Sequence, residues 1–165
     1  MSSRPVLSLP RTPLEITLEI AAGAGVVWMV GLAIFSYSAL PAVIPTHFGL
    51  SGEPDGWGPR WTILVLPAVG LALYLLLTLL GRIPHRLNYP WKITEANAPR
   101  QYRLVRIFLT GLKTELVLSF CYIKVAAIRV AMGNAPGLSP IFLPSFVGMT
   151  FLTILTYVIL SYRAR

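Results

Sequence analysis

No charged residue occurs from Ile20 to Leu40 or from Trp61 to Gly81. Each run matches the roughly 20 residues that an α-helix needs to cross a hydrocarbon layer about 30 Å thick. In water, helices apolar on every side must be enclosed by other elements. A chain of 165 residues with 55% apolar and 12% charged residues lacks the polar surface to enclose them, since soluble domains carry about 25% charged residues. Lipid is therefore expected to cover part of the surface, in line with a mean hydropathy of +0.69. The expected fold is all-α: an integral membrane bundle of four transmembrane helices forming one domain over residues 1–165. The apolar region of a cleaved signal peptide spans only about 7–15 residues. The Ile20–Leu40 run is longer, so it reads as a retained span even with Arg4 and Arg11 ahead of it.

Local signals set the boundaries at about 14–40, 60–82, 102–132 and 140–162. An outer hairpin at 41–59 and a cytoplasmic loop at 83–101 connect them. Thr12-Pro13-Leu14-Glu15 fits a capping box with proline at the first helical position, and Pro41 is expected to end that helix. Gly58-Pro59 and Ser139-Pro140 read as helix starts, and Gly81 with Pro84 reads as a stop. Pro67 is expected to bend the second span. The prolines at 84, 90 and 99 mark the middle segment as a loop, with a short interfacial helix expected near Trp91–Ala98. Gly133-Asn-Ala-Pro-Gly137 reads as a tight turn. Gly23, Gly25, Ala68 and Ala72 offer small surfaces for close helix contact.

Fourteen Lys and Arg against six Asp and Glu give a net charge of +8. Their placement points to membrane orientation rather than to nucleic acid. Arg82, Arg86, Lys92, Arg100 and Arg103 gather in the middle loop, Arg4 and Arg11 near the N-terminus, and Arg163 and Arg165 in the tail. The hairpin at 41–59 is flanked by Arg60 alone. Basic residues concentrate on the cytoplasmic side, so both termini and the middle loop are expected inside and the hairpin outside. The multi-pass chain would then sit in a bacterial cytoplasmic membrane. Anionic lipid or a cytoplasmic partner would meet the five basic residues of the middle loop.

The hairpin gathers His47, Phe48, Glu53, Asp55, Trp57 and Arg60, the candidate surface for an extracellular ligand or partner. Pro54-Asp55-Gly56 has the chemistry of a turn, since proline presets φ and glycine accepts positive φ. His47 with Glu53 and Asp55 is a weak metal candidate, because imidazole with two carboxylates suits zinc. No second histidine lies near, so no cofactor is expected. A polar cap in which His47 bonds to a carboxylate or to backbone is the simpler reading. The lone Cys121, inside an apolar run, reads as packing.

Leu40-Pro41, Ile44-Pro45, His47-Phe48-Gly49 and Ser51-Gly52-Glu53-Pro54-Asp55-Gly56-Trp57, followed by Arg60, resemble the signature of a bacterial membrane family of unknown function. That family forms the N-terminal part of Sdp-type toxin-immunity proteins. Asn97 and Tyr102 echo a later feature of it, and the likeness covers roughly residues 25–105. It implies a membrane protein and permits toxin binding or sensing. Those immunity proteins have more spans than the four expected here.

The third span carries Lys113, Glu115, Lys124 and Arg129. At 1.5 Å per residue, Arg106 and Arg129 stand about 34 Å apart and would mark the two interfaces. Lys124 would lie near the outer one and snorkel, and Lys113 about 10 Å inside the inner one. Glu115, about 13 Å inside, is too short to reach water. A carboxylate there must be neutralised, bonded to another helix, or face a wet cavity. At 100° per residue, Lys113 and Glu115 point apart and do not pair. Matching depths across the spans predicts one polar layer of Glu115 and Lys113 with Tyr74, Thr153, Thr156, Tyr157 and Trp28. Glu15 and Glu19 are expected at the interface.

Three functions fit. The first is a non-enzymatic binding protein whose hairpin meets an extracellular peptide, in toxin immunity or sensing. The second is a small structural subunit among other membrane subunits. The third is a metal-dependent membrane enzyme using His47 with Glu53 or Asp55. Ser-His-Asp order, paired histidines and a phosphate-binding glycine loop are all absent from the sequence, so the first reading is preferred.

Overall fold

The computed structural model describes residues 4–165. Its elements are α1 (Pro13–Ser36), β1 (Val43–Phe48), β2 (Pro54–Pro59), α2 (Val65–Arg82), α3 (Ala98–Ala131) and α4 (Phe142–Arg163). Short 3-10 helices at Arg60–Leu64 and Pro84–Arg86 precede and follow α2. Three helical stretches are long and apolar enough to cross a membrane: Pro13–Ser36, Arg60–Arg82 and Phe142–Arg163. The fourth long helix, α3, is the charged one.

The capping box forms as its chemistry requires. Thr12 Oγ1 accepts from Glu15 N, and Glu15 Oε2 accepts from Thr12 N at 2.7 Å. The helix then ends at Ser36, short of Leu40, because residues 37–40 tighten into turns that bond back to Ile34 and Ser36. Pro67 falls in the first turn of α2, where its missing N–H costs no helical bond. No helix forms at Trp91–Ala98. Instead Asn97 and Thr94 bond each other's backbone, and α3 begins at Ala98 with Pro99 in its first turn.

The all-α expectation fails at 41–59. Val43–Phe48 and Pro54–Pro59 pair as a two-stranded antiparallel sheet with a bulge near Thr46, beside the donor-less Pro45. Pro54-Asp55-Gly56 belongs to β2 and is not the turn. Reversal occurs at Gly49–Gly52, where Gly52 N donates to Gly49 O and Gly52 takes φ +86°. Gly56 faces His47 across the sheet. The turn needs left-handed backbone at residue 52, which glycine adopts without a Cβ clash.

α3 is the axis of the bundle, packed against α1, α2 and α4. Its 34 residues extend about 51 Å, beyond the hydrocarbon thickness. Helices consecutive in the chain alternate in direction, so α1 and α3 run parallel. Near one end Glu15 meets Arg106 and Gln101 meets Ser161; near the other Ile63 meets Lys124 and Ser139 meets Tyr122. The N-terminal segment, the 83–97 loop and the C-terminus therefore share one end. The hairpin and the α3–α4 turn share the other.

The burial pattern is inverted relative to a soluble protein. Gln101, Lys113, Thr114, Glu115, Ser119 and Lys124 are buried on α3, whereas α4 buries only Ser161. Phe151, Leu152, Val147 and Leu155 lie exposed on α4. With lipid as solvent, apolar faces gain nothing from enclosure, and polar groups must find partners inside the bundle. Close approach of α1 to α3 rests on Gly25, where an added Cβ would meet Val117 Cγ1 at 2.7 Å. On α2 the small contact residue is Gly70, against Met29. Ala68 and Ala72 are exposed.

Candidate functional site: the hairpin groove and the buried polar stripe

At the hairpin end, a groove of about 560 Å³ lies between β1, the hairpin turn and the start of α4. His47, Phe48, Asp55, Leu138 and Phe142 are among its walls. His47 Nδ1 and Asp55 Oδ1 lie 2.5 Å apart, joined across the strands and open to solvent. Such an exposed pair adds little stability and leaves both groups free for a ligand. The groove is held by its far wall. Leu138 N donates to Gly52 O at 2.8 Å, and a Cβ on Gly52 would stand 2.5 Å from Leu138 O. Glycine at 52 thus serves both the turn and the docking of the hairpin on the α3–α4 turn.

The other hairpin residues go elsewhere. Glu53 is exposed, and its backbone carbonyl accepts from Gly49 N. Among the described residues, no three His, Cys, Asp or Glu groups converge as a metal-holding set. The His47, Glu53 and Asp55 set is therefore not assembled, because β2 turns Asp55 toward His47 while Glu53 sits in the reversal. Trp57 is exposed on β2. Arg60 turns away from the groove, with its guanidinium over the Tyr37 ring and Nη1 donating to Leu40 O at 3.2 Å. It staples the end of α1 to the start of the second span.

Within the bundle, the expected single polar layer separates into two. Lys113 Nζ donates to Glu19 Oε2 at 2.6 Å and to Thr78 Oγ1 at 2.8 Å, and lies 4.6 Å from the Tyr74 ring centroid. Tyr74 in turn donates to Glu19 Oε1 at 2.8 Å. Glu115, on the opposite side of α3, accepts from Thr150 and Thr153 of α4. Tyr157 belongs to neither layer and stacks on Phe108, and Trp28 is exposed. Lys124 does not snorkel. It is 1% exposed, and Nζ donates to Ile63 O. Cys121 is buried, with Sγ 3.3 Å from Gly25 O.

At the opposite end, Arg106 is the organising residue. Its Nε and Nη2 reach Glu15 at 2.8 and 3.0 Å, and its other donors reach Leu9 O and Pro10 O. Tyr102 donates to Pro5 O. The segment 5–10 is thereby strapped across a polar cavity of about 460 Å³ whose walls include Arg11, Glu19, Arg82 and Lys113. Tyr89 donates to Pro84 O, and burial pushes its phenol up from the ordinary range. Arg82, Arg86, Arg100 and Arg103 are exposed on this end. Lys92 and Arg100 border a separate open hollow beside Trp91, whose buried indole N–H has no protein acceptor among the described residues.

Sequence reading left Glu19 and Glu15 at the interface without partners, and it missed Thr78 and Thr150. A signal for the first two existed. Glu15 and Glu19 are the acids near the start of the first span, and Arg106 and Lys113 are the cations near the start of the third. Helices running parallel bring the two pairs to matching depths.

Residues 24–71 match the profile of a domain of unknown function, DUF1648. That segment runs from α1 through the whole hairpin into α2. An uncharacterized protein of Archaeoglobus fulgidus is 39% identical over 100 residues, covering 52% of this chain and 54% of its own length. The chain spans about half the length of this curated relative. No solved structure matches. These likenesses, with the three apolar helices, support a membrane protein similar to a family of unknown function.

Proposed function

We propose that this chain is a non-enzymatic, four-span protein of a prokaryotic cytoplasmic membrane whose hairpin binds an extracellular peptide. The hairpin groove carries the reading. It is roomy, part apolar and part polar, rimmed by the solvent-open His47–Asp55 pair, and braced by Gly52 against a second loop. The domain match centres on this segment. Toxin immunity or sensing is the role suggested by the Sdp-type resemblance.

Four spans follow if α3 crosses as the shielded core, since its central charges, Lys113, Glu115 and Lys124, are buried against neighbouring helices. The end holding Arg82, Arg86, Lys92, Arg100 and Arg103 would be cytoplasmic. Trp91 and the basic residues there suit anionic headgroups.

Two experiments test this reading. In a Cys121→Ser background, an impermeant maleimide applied to intact cells should label a cysteine placed at 53 and spare one at 92; the reverse labelling ends the topology. A photo-crosslinking residue placed at Leu50 should trap a peptide-sized adduct from conditioned medium. His47→Ala should reduce that adduct about tenfold, the loss of one charge-assisted hydrogen bond. Adducts equal in fresh medium would refute peptide binding.

A further inference from the structure

Beneath β1, on the side of the hairpin facing α2 and α3, lies a second cavity of about 270 Å³. Ile44, Phe48, Leu66, Val69 and Ile123 make its walls, and its polar groups are Thr46, Thr62 and Lys124. Lys124 is an anomaly. Its ammonium has three donors, one acceptor in Ile63 O, and no carboxylate within ion-pair distance among the described residues. A buried cation left so is costly unless something completes its shell.

We propose that this cavity binds the carboxylate of a single acyl chain, with Lys124 as its counter-ion. The cavity shares Thr46, Phe48 and Ile123 with the hairpin groove, so a tail has an apolar path away from the ammonium. Val65 and Val69, exposed on α2 at the cavity wall, place it on the face that lipid covers. Counting polar groups selects the ligand. One ammonium and the Thr46 hydroxyl match one carboxylate, since Thr62 already donates to Pro59 O at 2.8 Å. A peptide C-terminus brings backbone amides that these apolar walls would leave unpaired, and a phosphodiester brings a glycerol headgroup too bulky for this volume. The site goes beyond the peptide reading, because Lys124 is not among the lining residues of the peptide groove.

The test uses the full chain in phosphatidylcholine nanodiscs, with a dodecanoate bearing a terminal diazirine as photo-label and adducts mapped by mass spectrometry. Labelling should fall on the segments around Phe48, Val69 and Ile123. Unlabelled dodecanoate should compete at least tenfold better than dodecanol. Lys124→Met should reduce labelling about ten- to hundredfold, the worth of a hydrogen bond to a charged group, and Lys124→Arg should retain most of it. Val69→Trp, which fills the cavity from the lipid side with Lys124 intact, should also abolish labelling. Equal competition by dodecanol, or undiminished labelling of Lys124→Met, overturns the proposal. So does better competition by dodecyl phosphate, by a hydrophobic tripeptide with a free C-terminus, or by acetate alone. The competition arm needs no variant, so a folding failure cannot shelter the idea.

Discussion

Lys113 and Lys124 stand three turns apart on one face of α3, and both are buried, at 2% and 1% exposure. Their surroundings differ in kind. Lys113 has a carboxylate, a hydroxyl and an aromatic face. Lys124 has one carbonyl beside an apolar cavity. The first is a closed network that ties α1, α2 and α3 together. The second is an open valence. In a membrane bundle, burial of a charge marks architecture where the partners are present and marks a site where they are missing.

The sharpest way to break this contrast is Lys113→Met. It strands Glu19 beside the polar cavity and should cost about 3 kcal/mol, the low end for a broken buried pair because Glu19 is partly exposed. A fall in the detergent melting midpoint reads this out. Adding Glu19→Gln should recover more than half of the loss, and no recovery would mean that the pair is not a unit. Arg106→Met removes the clamp on Glu15 and the 5–10 strap, and should cost about 2 kcal/mol. Faster proteolysis ahead of Thr12 would accompany it, while unchanged proteolysis would show that the strap is held by Tyr102 alone.

Gly25→Ala tests whether the stripe depends on α1 lying close to α3. Its Cβ would press on Val117, and overpacking of this size costs about 1–3 kcal/mol; an unchanged melting midpoint would show that the helices can separate freely. Lys124→Met should have the smallest effect, within about 1 kcal/mol of wild type and of either sign, because removing an unpaired buried charge offsets the lost bond to Ile63. A loss as large as that of Lys113→Met would make the two lysines equivalent and erase the distinction.

The apolar runs and the capping box were legible because they are local. An uncharged stretch states its solvent, and Thr12 with Glu15 lie within one helical turn. The hairpin's importance was legible from composition, but its conformation was not. Pro54-Asp55-Gly56 has turn chemistry, yet Gly52 takes the left-handed position and frees Gly56 for the sheet. Several residues could serve as the turn, and the winner is set by which register lets the hairpin dock on Leu138. The single polar layer failed for a related reason. Depth along a helix can be counted from sequence, whereas rotation about its axis relative to each neighbour cannot. Lys113 and Glu115 share a depth and serve different partners.

Sequence by itself therefore determined the solvent, the start of the first helix and the amount of charge that had to be hidden, since each depends on residues adjacent in the chain. Gly58-Pro59, read as a second helix start, lies at the end of β2, and α2 begins at Val65. Tertiary structure alone decided which charges are satisfied. Glu19 finds Lys113, Glu115 finds two threonines of α4, and Lys124 is left with a carbonyl and a cavity. Satisfaction of a buried polar group is a property of the space around it, and that space is made by helices far apart in sequence.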